Sequence, residues 1–192
     1  NHTHANPPLL QTSARKKYLR YRENISTMLR RRFNSKSIKQ QWQSLPSPST
    51  PRTSCGVASL ASLIVVVGGK DANYESLKSV EVYNGDLGSW YALPNLLIPR
   101  SRCTALVHHD KLYVFGGVDK SDKYLGSVEV LDLNHPEWGF KLLRNSMPLA
   151  LSHVVAVSYT DTNAIFLVGG WDGETHSDAV WKLDVEWGQF TK

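Results

Sequence analysis

The sequence predicts an all-β fold assembled from copies of one four-stranded module, and three recurrences predict it. Glycine pairs stand at Gly68-Gly69, Gly116-Gly117 and Gly169-Gly170, each directly behind a strand-length apolar run: LIVVV, KLYVF and AIFLV. The motif SVEVYN at 79–84, with its aromatic Tyr83, returns as SVEVLD at 127–132 and more loosely as DAVWKLD at 178–184. Tryptophan recurs at Trp42, Trp90, Trp138 and Trp187, a period close to fifty residues.

Within one unit the elements follow in order. CTALVH reads as a first strand and KLYVF as a second. The glycine pair then lets the second strand stop and a loop leave at the sheet edge, because glycine reaches positive φ and tolerates close backbone approach. SVEVLDL alternates apolar and polar residues as a third, half-buried strand, and the stretch from Trp138 supplies the fourth. The repeats run over about 52–99, 100–148 and 149–192. WYALPNLLIPR at 90–100 aligns without a gap on WQSLPSPSTPR at 42–52, so residues from 41 onward also carry the last strand of a further unit. Cys55 and Cys103 both precede their glycine pair by 13 residues, which makes them repeat equivalents. In the third unit His153 takes the cysteine slot, SYTDTN at 158–163 lengthens the first hairpin loop, and Leu149 stands near the place of Arg52 and Arg100.

Four antiparallel strands form one blade with two apolar faces, and blades bury those faces by stacking radially. Closed rings of this kind need about four to eight blades. Three do not close. The count, a first residue Asn1 rather than Met, and a last residue Lys192 inside an expected fourth strand read as a piece of a longer chain. Assembly with other subunits is the other route, and an open arc of three blades should be oligomeric or aggregation-prone.

The order of apolar strand, glycine pair, polar loop, SVEVY and tryptophan resembles the kelch-repeat family of β-propellers over residues 41–192. A WD40 propeller repeats every ~40–45 residues and places its Trp-Asp at a strand end. Here Trp171-Asp172 follows the glycines, in a loop. The expected fold is therefore an incomplete kelch-type β-propeller of about three blades, preceded by a basic extension.

That extension separates from the rest by charge. Residues 1–40 hold ten Lys/Arg against the single Glu23, a net +9; the remaining 12 Lys/Arg and 16 Asp/Glu give −4, which sums to the chain's +5. Tyr18, Tyr21, Ile25, Met28, Leu29 and Phe33 recur at helical spacing, so the segment is either a basic amphipathic helix or a solvated linker. Nucleic acid or membrane contact would fall on residues 14–39 alone. Two cysteines suit a reducing, cytoplasmic setting with both thiols free.

The residues point away from catalysis. A phosphate loop would not come in triplicate and would need a helix start after its glycines. His108 and His109, consecutive on a strand, should face opposite ways and cannot share a metal ion. A galactose-oxidase-like propeller would hold copper with tyrosine and histidine, but Tyr83 and Tyr113 sit where aromatics fill the space between blades. No catalytic residue, cofactor or metal site is expected. The kelch resemblance implies a non-catalytic interaction module that binds proteins or peptides through the loops of one face. As a substrate receptor it would serve a ubiquitin ligase; as a scaffold, the cytoskeleton. Carried onto matching positions, that face comprises Lys70, Asp71, Asn73, Asp119, Lys120, Asp122, Trp171, Asp172, Glu174 and His176, with Arg52, Arg100 and Arg102 from the segments leading into the blades.

Overall fold

Three antiparallel four-stranded sheets follow one another along the chain. The computed structural model describes residues 42–159 and 161–192. The basic extension over 1–40 lies outside the described residues. The first sheet is β1 (Gly56–Leu60), β2 (Leu63–Val67), β3 (Val80–Asn84) and β4 (Ser89–Leu93). The second is β5 (Thr104–His108), β6 (Lys111–Phe115), β7 (Val128–Asp132) and β8 (Lys141–Leu142). The third is β9 (Val155–Ser158), β10 (Ala164–Val168), β11 (Val180–Asp184) and β12 (Gln189–Thr191). Strands pair in sequence order within each sheet, and β1, β5 and β9 lie side by side as the inner strands of successive blades.

Each blade obeys one set of local rules. The glycine pair follows the second strand directly, with φ of 57° and 101° at Gly68 and Gly69, and 55° and 97° at Gly116 and Gly117. A Cβ on Gly116 would stand 2.2 Å from Leu151 O in the next blade, and one on Gly117 would stand 2.5 Å from Ser101 O in its own. Glycine is required there twice over, by φ and by space. The turn between third and fourth strands is held by Asn84, Asp132 or Asp184, whose Oδ1 accepts from the backbone N–H two residues on, at 2.9–3.0 Å. In the third blade the first hairpin loop runs over 159–163, longer than the two-residue turns of the other blades.

Two apolar layers lie between the blades. Ala58, Val65, Val67 and Val80 of the first blade meet Cys103, Ala105, Leu112 and Val114 of the second. On the second blade's other face Tyr113, Phe115 and Val128 meet Met147, Leu151, Val154, Ile165 and Leu167. Such apolar area removed from water contributes roughly 25 cal/mol per Å².

Three expectations change on folding. The described residues 42–50 form no strand, and the segment from Pro46 lies against blade 1, where Trp90 Nε1 donates to Pro46 O at 2.7 Å. The tryptophan period does not mark one structural position. Trp90 is on β4 opposite Tyr83, Trp138 ends a 3-10 turn (Pro136–Trp138), and Trp187 lies in the turn before β12. The residues equivalent to Trp90 are Phe140, adjoining β8 and 5% exposed, and Phe190, which pairs with Leu183. Two residues inserted by the Pro136 turn displace the tryptophan outward. Finally, His109 leaves the strand at φ 47°, so the rings of His108 and His109 stack at 4.0 Å rather than pointing apart.

Candidate functional site

The third blade also changes the expected register of the lead-in segments. Isolated bridges Thr53↔Lys70, Ser101↔Val118 and Ser152↔Trp171 make those three pairs equivalent. Val154, not His153, therefore shares the slot of Cys55 and Cys103, and Leu151, not Leu149, that of Arg52 and Arg100. His153 corresponds to Ser54 and Arg102, and all three have left-handed backbones, with φ of 55°, 53° and 52°. The strained residue comes just before each first strand, where the chain turns to enter the sheet beside its neighbour: Arg102 N donates to Ser54 O at 2.7 Å and His153 N to Arg102 O at 3.0 Å.

Arg52 and Arg100 do not stand at the loop surface where the sequence put them. Arg100 is fully buried; its guanidinium donates to Gly116 O at 2.9 Å, Ser127 O at 3.1 Å and Glu129 Oε1 at 2.6 Å. Arg52 repeats the arrangement with Gly68 O, Ser79 O and Glu81, its side chain 3% exposed. Three inward acceptors supply charge-assisted hydrogen bonds that offset the desolvation cost of burying the guanidinium. Burial raises the pKa of Glu81, but hydrogen bonds from Ser49 and the Arg52 guanidinium outweigh it and hold the carboxyl below its usual range. In the third blade Leu151 and Trp181 stand where the other blades have Arg and Glu, an apolar solution to the same space.

The loop aspartates likewise face their own loops. Asp71 Oδ1 accepts from Asn73 N and Glu75 N at 2.9 Å each, and Asp119 Oδ1 from Ser121 N and Lys123 N at 2.7 and 3.1 Å. Asp172 Oδ1 accepts from Thr175 N and Glu174 N, which hold its carboxyl below the ordinary carboxylate range. Lys70 reaches Asp122 at 3.6 Å. Asn73, Lys120 and Glu174 are exposed on the loops.

What the fold does gather is a different subset. Arg102, Trp171 and His176 line one open cavity of about 640 Å³ together with Ser54, His153 and Gly170. Trp171 and His176 bridge across their loop with ring centroids 4.5 Å apart, and Ser152 Oγ lies 2.9 Å from His153 Nδ1. The Arg102 side chain makes no hydrogen bond or ion pair to a described residue. An unpaired guanidinium, two imidazoles and an indole edge form a basic, aromatic recess. Ser54 and His153 escaped the sequence reading because their equivalence to Arg102 lies in backbone conformation, with the shared offset to the glycine pair broken by the longer loop. Among the described residues no group of three or more His, Cys, Asp or Glu is placed to hold a metal ion.

Radial blades, paired glycines closing each second strand, and strand order 1-2-3-4 define a kelch-type β-propeller arc. Residues 56–192 match the family model of the KLHDC2/KLHL20/DRC7 kelch-repeats domain, and the chain belongs to that family. It is similar in fold to the solved structure of YjhT, with a TM-score of 0.67 at 17% identity, over 82% of this chain and 56% of that one. The chain thus spans little more than half the length of this structural neighbour. No curated protein matches the sequence directly.

Proposed function

We propose that the chain is a non-catalytic interaction module that takes a peptide segment of a partner protein at the recess around Arg102, rather than along the whole rim of loops. One observation carries this: the arc brings Arg102, His153, His176 and Trp171 from two blades to one open cavity, while Arg52, Arg100 and the loop aspartates spend their charge inward. Forked donors beside a half-buried aromatic suit acidic or phosphorylated peptides. The kelch family membership supports an interaction role, and a receptor presenting substrates to a ubiquitin ligase in the cytoplasm is the fuller form of this reading.

The test is capture of an acidic and phosphorylated peptide library by the purified 192-residue chain. Arg102→Ala and His176→Ala should each lower capture about tenfold or more, a loss of ~1.4 kcal/mol. Lys120→Ala, on an exposed loop outside the cavity, should not. Equal capture by all three variants would place the binding surface elsewhere. For the receptor role, the captured protein should become ubiquitinated in cells in proportion to its affinity for Arg102.

A further inference from the structure

The loops between second and third strands close in the same way in the first two blades. Bridges Lys70↔Ser76 and Val118↔Tyr124 form their bases, and Tyr74 N donates to Asp71 O at 3.1 Å as Asp122 N does to Asp119 O at 3.2 Å. Tyr74 and Asp122 therefore hold one position, the loop tip, and both have left-handed backbones, with φ of 63° and 58°. Aspartate visits that region readily, whereas a bulky tyrosine is strained there. The shorter loop of the third blade turns at Gly173, with φ of 110°. Nothing in the turn itself calls for an aromatic side chain.

The Tyr74 ring gives nothing back to the fold. It is 78% exposed, and among the described residues it makes no ring contact and no side-chain hydrogen bond. Tyr124, at the base of the second loop, shows the contrast, since its ring lies against Gly173 of the third blade. Exposure at the tip is not peculiar to the first blade: Asp122, in the middle blade with a neighbour on each side, keeps its side chain 80% exposed. A strained residue that makes no contact within the fold marks a side chain held out for a partner.

The base of the loop connects it to the recess around Arg102. Lys70 and Ser76 occupy in the first blade the positions that Trp171 and His176 occupy in the third, and Lys70 bridges to Thr53, the neighbour of Ser54. Ser76 Oγ fixes that base by donating to Val118 O at 3.3 Å. The charges around the tip are already sorted. Asp71 Oδ1 accepts within its own loop and Lys70 is paired with Asp122, which leaves the exposed Glu75, next to Tyr74, with a carboxylate unpaired among the described residues. An aromatic face beside an unpaired carboxylate suits a cation, above all a guanidinium that stacks on the ring while donating to the carboxylate. We infer that Tyr74 and Glu75 form a second subsite for the peptide of the Arg102 recess, one that takes an arginine or lysine side chain. This subsite rests on the recess being the peptide site. It narrows the ligand to a segment of mixed charge, with an acidic or phosphorylated residue at Arg102 and a basic residue at the loop tip.

Fluorescence anisotropy of the purified 192-residue chain with labelled phosphoserine peptides tests this, a single arginine being scanned along the peptide against glutamine at the same position. Arginine at one or two positions should tighten binding about two- to fivefold, the range of an exposed cation–π contact. Tyr74→Asn places at the tip a residue that accepts the left-handed region. It should erase the preference for arginine, keep the dependence on Arg102, and leave the thermal midpoint unchanged or higher. Tyr74→Phe should retain the preference, and Glu75→Gln should reduce it. If no phosphoserine peptide binds, or binding ignores Arg102→Ala, the recess reading fails and this subsite with it. If binding needs Arg102 but arginine and glutamine peptides bind alike, or the preference survives Tyr74→Asn, the subsite alone is overturned. A lower thermal midpoint for Tyr74→Asn would make the ring structural and overturn it too.

Discussion

Arg100 and Glu129 form a salt bridge of 2.6 Å with both side chains fully buried, and the pair joins a segment leading into the second blade to that blade's third strand. Glu129 also accepts from Leu97 N at 2.6 Å and Ile98 N at 3.1 Å, so one carboxylate ties down the whole lead-in. Removing one partner strands the other charge, and Arg100→Leu should lower stability by ~3–5 kcal/mol. Urea unfolding measures it. A double-mutant cycle with Glu129→Leu should show coupling of at least ~1 kcal/mol, because the third blade fills the same space with Leu151 and Trp181.

The glycine pairs separate φ from space. Gly116→Ala meets Leu151 O and the Met147 methyl as well as an unfavourable φ, and should cost more than the ~1–3 kcal/mol of backbone strain alone. Gly169→Ala has a similar φ of 67° with nothing nearer than Ser177 O at 3.5 Å, an ordinary contact, and should cost only the strain. Gly173 is no neutral control, since a Cβ there would meet the Tyr124 ring at 2.9 Å; Gly126→Ala, without positive φ and with nothing nearer than 3.5 Å, should be tolerated. Equal thermal midpoints for the Gly116 and Gly169 variants would remove the close blade contact from the account.

Burial pushes the Cys103 thiol up from 9.0 to about 11. The folded chain keeps this proton where the unfolded chain releases it. The contribution to stability is complete below pH 9 and is lost as pH rises from 9 to 11. Native chain treated with a thiol reagent near pH 8 should modify Cys55 well before Cys103, and the Cys103→Ser variant should lose the alkaline part of the stability profile.

Phe140 rather than Trp138 fills the interior of the second blade. Phe140→Ala should cost ~3–5 kcal/mol. Trp138 is 57% exposed and stacks on His135 at 4.1 Å, so Trp138→Ala should cost less than ~1 kcal/mol. Denaturant midpoints decide between them.

The strand pattern, the glycine pairs, the SVEV third strands and the lengthened loop before β10 were all legible in the sequence. They depend on local chemistry: period-two alternation, turn residues, and backbone positions only glycine fills. The tertiary structure decided what depends on a neighbouring blade. Arg52 and Arg100 look like surface charges in a loop until Glu81 and Glu129 arrive from strands 29 residues away. The tryptophan spacing looked like one position until two extra residues at Pro136 moved Phe140 into it. His153 joined Ser54 and Arg102 through a shared left-handed turn, after a register that no fixed offset reveals. A side chain's role in this fold follows from the face it meets across the gap between blades, and that face belongs to residues distant in the chain.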